Sequence, residues 1–363
     1  MKNTFGNSIT LTLFGESHGP FIGAVLDGVA PGIRIDKEYI AKKLTKRRPS
    51  GKISTKRVEA DEFMIVSGEF EGYTTGTPLT VLISNTGANS GHYEALAVTP
   101  RPSHADYTAE CKYHGFQDYR GGGHFSGRVT AALVAAGAIL SSALEQKGIK
   151  IGTHVKKLGG ICDRELRECD IDALIELSFP VLDKEAAEKM RAAAEEAAAS
   201  GDSVGGVLES MVTGVPRGVG EPWFDSVESM LSHALFSVPA VKGVEFGAGF
   251  GFADMMGSEA NDAFLTDGES VYTKTNNNGG INGGITNGMP IVFRTAVKPT
   301  PSIYKAQKTV DLEKMENTEL KIEGRHDPAI VHRAAAVIDA VAALTVADLL
   351  AVRFGTDYLA KKD

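Results

Sequence analysis

Three histidines sit in turns crowded with glycine, proline and charge: His18 in "FGESHGP" (14–20), His104 in "RPSHADY" (101–107) and His326 in "GRHDP" (324–328). Imidazole exchanges a proton near neutral pH, so histidines placed off any apolar face are candidates for acid–base work. Cationic residues recur around them: Lys46-Arg47-Arg48, Arg101, Arg120, Arg128, Arg325 and Arg333. Guanidinium pairs bidentately with carboxylate or phosphate, which favours Arg over Lys where a multiply charged anion is held. Gly121-Gly122-Gly123, flanked by Arg120, His124, Ser126 and Arg128, lets backbone amides turn toward such an anion at a helix N-terminus. Together these residues predict a pocket for a polyanion, served by proton donors. Taken singly, each histidine also suits a hydrogen-bonded loop anchor, and Lys46-Arg47-Arg48 a solvated charge run.

Gly15-Glu16-Ser17-His18-Gly19 also fits G-x-S-x-G, the strand-to-helix elbow of serine hydrolases. Here Pro20 follows at once and Phe21–Leu26 reads as a second strand, so the motif predicts a turn between strands and not an elbow. Too little chain precedes it to build the sheet such an elbow needs. No H-E-x-x-H or comparable metal spacing occurs, and no G-x-x-x-x-G-K-[ST]. "GAGFG" at 247–251 lacks the context of a dinucleotide fingerprint. Asn276-Asn277-Asn278 with its following glycines suits either a surface loop or a cofactor cradle.

These loops need a frame. Alternation predicts strands at Ile9–Phe14, Phe21–Leu26, Phe63–Gly68, Pro78–Ser84, Ile149–His154, Val207–Val212, Val241–Phe246 and Pro290–Ala296. Gly127–Gln146 and Val331–Leu350 are apolar almost all round and predict buried helices; Asp183–Ser200 predicts a solvated one, and Ser226–Phe236 a shorter one. Strands and helices do not alternate one by one, which points to α+β, with mixed or antiparallel sheets on Ala-rich helices. The loops 119–128 and 323–333 each lead into a buried helix, a hint of internal duplication. No stretch reads as a domain linker, so residues 1–363 are expected to form one domain. With 363 residues, 42% hydrophobic content and 41 glycines the chain can bury a large core. A net charge of −8 argues against a general nucleic-acid binder. Three cysteines without a C-x-x-C pair suit a reducing compartment. With no secretory leader pattern at the start and no membrane span expected, the reading is a cytoplasmic protein.

In order, "FGESHGP", "KRRPS", "RPSHADYT", "DYRGGGHFSGR", "GDSVGG", "VKGVEFGAGF", "NNGGINGG", "KPTPSI" and "GRHDP" closely resemble the chorismate synthase family across residues 14–328. The resemblance implies a shikimate-pathway lyase that turns 5-enolpyruvylshikimate 3-phosphate into chorismate by 1,4-anti elimination of phosphate. It also implies reduced FMN without net redox change, NADPH as the source of flavin reduction, and a homotetramer of β-α-β sandwiches. By the same resemblance His18 protonates the leaving phosphate and His104 stabilises the reduced flavin. Ser17 and Asp327 relay the substrate's C6 proton near flavin N5, although Asp327 also suits a cap for the helix after Pro328. Flavin contacts fall to His124, Phe125, Ser126, Pro239, Ala240, Gly283, Lys298, Pro299, Thr300, Pro301, Ser302 and Arg325. Arg47 matches a position associated with substrate and NADPH; Arg48, Arg128 and Arg333 complete the substrate set. No metal is implied.

The sequence departs from the commonest family pattern at His124, where many members carry Arg, and at Ser103, usually Gly. "SGKIST" after Pro49 is shorter than usual and leaves Lys52 as the candidate for a second nucleotide contact. "NTGANSGHY" at 85–93 lacks the usual Asp and Arg. The rival function is an FMN-dependent oxidoreductase or flavin reductase, which consumes one NADPH per product where a lyase needs reductant only catalytically.

Overall fold

Leu79, Val81 and Ile83 are buried while the residues between them are half-exposed, and Ile291, Phe293, Thr295 and Val297 repeat that period of two. In the computed structural model, which describes residues 2–49, 53–54, 61–85, 94–322 and 326–360, such segments build two five-stranded antiparallel sheets. The first contains β1 (Thr4–Phe5), β2 (Thr10–Gly15), β3 (Phe21–Asp27), β4 (Phe63–Ser67) and β5 (Leu79–Ser84), in the order β1-β2-β3-β5-β4. The second contains β6 (Lys150–Leu158), β7 (Ile161–Cys162), β8 (Gly206–Thr213), β9 (Val241–Phe246) and β10 (Ile291–Val297), in the order β9-β10-β8-β6-β7. The eight expected strands are all present, and the pairing is antiparallel throughout rather than mixed.

The helices are α1 (Lys37–Arg47), α2 (Asp106–Tyr113), α3 (Thr130–Glu145), α4 (Lys184–Ala199), α5 (Val227–Ser237) and α6 (Val331–Phe354). Asp36, Asp183 and Ser226 start α1, α4 and α5 by accepting the backbone N–H of Tyr39, Ala186 and Ser229. Helix α3 packs on the first sheet and α6 on the second, with α1 and α5 beside them, so the helices fill the space between the sheets. Gly127–Glu145, which includes α3, and α6 are long and apolar enough to span a membrane, but the most apolar stretch of each is 89% buried inside the protein, as core helices are. They approach closely at Gly137, where a Cβ would lie 2.5 Å from that of Ala340. Small side chains let two backbones meet there; the weak helix propensity of Gly is the cost.

The order of elements repeats. In the first half, β2, β3, α1, β4, β5 and α3 follow one another, with sheet order β2-β3-β5-β4. In the second, β6, β8, α5, β9, β10 and α6 do the same, with order β6-β8-β10-β9. The pair of loop–helix units in the sequence thus has a counterpart in topology. Late and early chain are also tied directly: the fully buried carboxylate of Asp348 on α6 accepts the backbone N–H groups of Asn7, Ser8 and Ile9 at 2.9, 2.7 and 2.9 Å.

Sequence reading passed over α1, α2 and the hairpins Phe264–Thr266/Val271–Thr273, Ile281–Asn282/Ile285–Thr286 and Gln307–Asp311/Glu316–Leu320. Asn276–Asn278 proves to be a braced loop. Asp262 accepts the Asn277 and Asn278 N–H groups at 2.8 Å each, and the Asn276 side chain bridges Pro290 O and Gly280 N.

Candidate active site

The turn between β2 and β3 carries Ser17, which is buried, and its N–H donates to Gly123 O at 3.0 Å. Gly121, Gly122 and Gly123 all have positive φ, of 60°, 84° and 51°. Side chains are excluded there for a second reason. A Cβ on Gly121 would run into the His18 ring and stand 2.9 Å from Ser17 Oγ, while one on Gly122 would stand 3.1 Å from His104 Cε1. Two adjacent glycines therefore form a thin backbone wall with His18 and Ser17 against one and His104 against the next. His124 Nδ1 donates to Gly15 O at 2.8 Å, fastening the loop to the end of β2.

His104 is positioned from behind. Its Nδ1–H donates to Asp106 Oδ1 at 2.6 Å, leaving Nε2 turned toward Gly122. Arg101 grips the same carboxylate through Nε and Nη2, at 2.7 Å each. Burial alone would raise the Asp106 carboxyl, yet the hydrogen bonds from Arg101 and His104 prevail and hold it well below the usual carboxylate range. A narrow crevice of about 20 Å³, room for about one water, opens beside His104, Asp106, Gly122 and Phe125. Arg101 Nη1 also reaches Ser302 Oγ at 3.5 Å, which brings in the 298–302 segment. Lys298 donates to Ser103 O through its side chain and to Ala240 O through its backbone N–H, the latter at 2.9 Å. Ala240 itself has φ 73°. Thr300 O accepts from Ser203 Oγ at 2.7 Å, while Thr300 Oγ1 is buried without a hydrogen-bond partner among the described residues.

His326 stacks obliquely on Tyr304 at 5.2 Å, and its Nε2 is likewise buried without a partner among the described residues. Burial, and then the charge of Arg101, lowers its pKa, which keeps the ring neutral at pH 7; Asp327 opposes that weakly. Asp327 Oδ2 accepts from Arg333 Nη1 at 3.0 Å, and the first residues of α6 receive no side-chain cap, so Asp327 is an ion-pair partner and not a helix cap.

The other arginines converge on a residue that motif reading passed over. Asp61, 2% exposed with φ 48°, accepts from Arg128 Nη1 and lies 3.6 Å from Arg47 Nη1 and 3.5 Å from Arg48 Nε. Arg128 Nε also donates to Asn85 Oδ1 at 2.9 Å, and Asn85 Nδ2 donates in turn to Glu16 O and Gly19 O, on either side of Ser17 and His18. Arg128 and the histidine turn are thereby one hydrogen-bonded body, to which Arg47 and Arg48 are joined as ion pairs through Asp61. Arg47, 2% exposed at the end of α1, is no solvated charge run. Asp61 and Asp106 carried only one signal in sequence, that of being carboxylates near Arg and His motifs.

Not every expected residue joins the cluster. Gly283 is exposed at the tip of its hairpin with φ 61°, and a Cβ there would meet no atom within 4 Å; its neighbour Gly284 leans instead on Glu221 and Ser226. Pro239 is exposed next to Ala240, and Phe125 packs edge-on against Tyr113. Arg325, Lys52 and most of 85–93 lie outside the described residues. Among the described residues no group of three or more His, Cys, Asp or Glu is arranged to hold a metal ion.

Comparison with known proteins places these features in company. The sequence pattern of the family described as chorismate synthase matches residues 9–351. The chain is 49% identical to the chorismate synthase of Thermococcus gammatolerans over 346 residues, covering 95% of this chain and 96% of that one. It is 47% identical to that of Pyrococcus abyssi (96% and 97% covered) and 48% identical to that of Methanosarcina mazei (95% and 95%). A solved structure titled "Crystal Structure of Chorismate Synthase" superposes with a TM-score of 0.75 at 28% identity, covering 96% of this chain and 93% of that one.

Proposed function

The chain belongs to the chorismate synthase family, and from that premise we propose how its own residues divide the work. The enzyme is a carbon–oxygen lyase that converts 5-enolpyruvylshikimate 3-phosphate to chorismate by eliminating phosphate. The substrate brings a phosphate and two carboxylates. Arg47, Arg48 and Arg128 gather around the carboxylate of Asp61, which fixes their geometry for such an anion.

The observation that carries the assignment of roles is the glycine wall, with His18 and Ser17 packed against Gly121 and His104 against Gly122. His18 holds the proton that the departing phosphate takes up. Ser17, buried beside it, orients the substrate at the C6 side, and Asp327, steadied by Arg333, receives the proton lost there. His104 is held at Nδ1 by Asp106 and turns Nε2 toward Gly122, where the doubly protonated ring is a proton donor.

The donor set fits a flavin: glycines too tight for side chains, the buried Thr300 Oγ1 and His326 Nε2, which have no hydrogen-bond partner among the described residues, and the polar 298–302 segment. His124, Phe125, Ser126, Ala240, Lys298 to Ser302 and Arg325 would hold FMN, with Pro239 and Gly283 as outlying contacts. Reduced FMN, when bound, supplies electron density to the elimination without net redox change. NADPH as reductant through Arg47, a cytoplasmic location and a homotetramer belong to the same reading. Anaerobic incubation with reduced FMN and substrate tests it, with chorismate followed by absorbance. Chorismate formed over many turnovers per reductant supports the lyase; one NADPH consumed per product supports a flavin oxidoreductase instead.

A further inference from the structure

A second concavity, open to solvent and with a volume of about 370 Å³, lies between α1, β6, α6 and residues 171–180, and none of the groups given a role above lines it. Its walls are of two kinds. Ile151, Ile171 and Ile175 supply an apolar side, whereas Lys46, His332 and Asp339 supply a polar one.

The polar side is incomplete. His332 is 5% exposed, and its Nε2 pairs with Ser54 Oγ at 3.0 Å while Nδ1 has no hydrogen-bond partner among the described residues. Asp339 Oδ2 takes Lys43 Nζ at 3.3 Å, and Oδ1, also buried, has no partner there. Lys46 Nζ donates to Leu177 O at 2.6 Å and has no carboxylate within ion-pair distance among the described residues, so its other N–H directions remain for a further acceptor. Buried polar atoms normally find partners, and two lining residues of one cavity, each with a polar atom left without one among the described residues, mark a place where a ligand's polar groups are missing. Burial, with neighbouring Lys42 and Lys43, also holds the Lys46 ammonium below its ordinary pKa, a condition that an added carboxylate relieves.

We propose that this cavity binds a small zwitterion with an apolar body, an α-amino acid with a branched or aromatic side chain: carboxylate on Lys46, ammonium on Asp339 Oδ1, side chain among the isoleucines. An acceptor unfilled beside a cation unfilled, next to an apolar wall, fits that class better than a polyanion. A polyanion would meet Asp339 as well as Lys46. The cavity also touches the catalytic frame through adjacent residues. Lys46 precedes Arg47, which is on Asp61, and His332 precedes Arg333, which is on Asp327. An occupant is therefore placed to shift KM for the anionic substrate.

Calorimetry on the full-length protein tests the site with L-leucine and L-phenylalanine, using 4-methylpentanoate and 3-methylbutylamine as analogues of leucine lacking one charge each. One site per chain, with each analogue at least ~10-fold weaker, is expected, since 1.4 kcal/mol of lost pairing is tenfold. Lys46→Met is expected to weaken binding by a similar factor, and Ile175→Trp, which fills the cavity from its half-buried rim, to abolish it without touching a charge. Circular dichroism shows that the variants are folded. No heat at millimolar amino acid, or binding that survives both variants unchanged, overturns the proposal.

Discussion

Asp61→Asn separates two accounts of the arginine cluster that differ in sign. Asparagine tolerates the left-handed backbone at φ 48° and keeps one acceptor, so shape is largely preserved and the charge alone is lost. If the arginines attract substrate only by their summed charge, removing a carboxylate that three of them share strengthens binding and lowers KM. If Asp61 instead fixes their geometry, the three guanidiniums repel one another and splay. A charge-assisted hydrogen bond contributes about 1.5–3 kcal/mol, and Arg128 and Arg47 are almost fully buried while Arg48 is 30% exposed and counts for less. Losing about 2 kcal/mol of preorganised anion binding raises KM by ~30-fold, and leaving buried cations short of a partner costs ~3–5 kcal/mol of stability. Steady-state kinetics with reduced FMN, beside urea unfolding with and without inorganic phosphate, reads both quantities. A folded variant whose KM falls or stays put refutes the positioning argument.

His18→Ala is expected to fold and to bind FMN, with kcat down ~10²–10⁴-fold; wild-type kcat at neutral pH would make the ring structural. Gly121→Ala places a methyl into the His18 ring at positive φ, so turnover is expected to drop at least ~100-fold while the far-UV spectrum is kept; near-normal turnover means the wall is not tight. Asp327→Asn keeps a neutral partner for Arg333, so kcat is expected to fall far more than KM rises, and equal changes in both would assign Asp327 to binding. Burial pushes His332 down to about 3, so the unfolded chain takes up a proton near pH 6.5 that the folded one refuses. Stability is therefore complete above pH 6.5 and is lost as pH falls toward 3, by at most ~5 kcal/mol, and His332→Gln is expected to flatten that slope in urea titrations at pH 7, 5.5 and 4.5.

The strands and both buried helices were legible because each is long and strongly periodic, as in Leu79–Ser84 and Val331–Phe354. Helix α1 was not, since its Lys-rich surface masks the buried Ile40 and Leu44, and α2 is too short and mixed to show a period. The glycine loop and the histidines announced themselves by composition. Asp61 and Asp106 did not, because a carboxylate's role lies in which guanidiniums reach it: Arg128 comes from 67 residues away. The same reason hid the Asp327–Arg333 pair, whose Asp-Pro context mimics a helix start.

The grip of Asp348 on the amides of Asn7, Ser8 and Ile9 has a consequence for the order in which the chain is made. The carboxylate lies about 340 residues downstream of its targets. At ~5–20 residues per second of ribosomal synthesis, the segment entering β2 waits roughly 20–70 s for it. During that interval the segment entering β2 carries three donors still solvated by water, and Ile9, 0% exposed in the finished protein, has no α6 to cover it. Helix α6 is thus the latch on the segment entering β2, which stays open to chaperones until residue 348 has emerged.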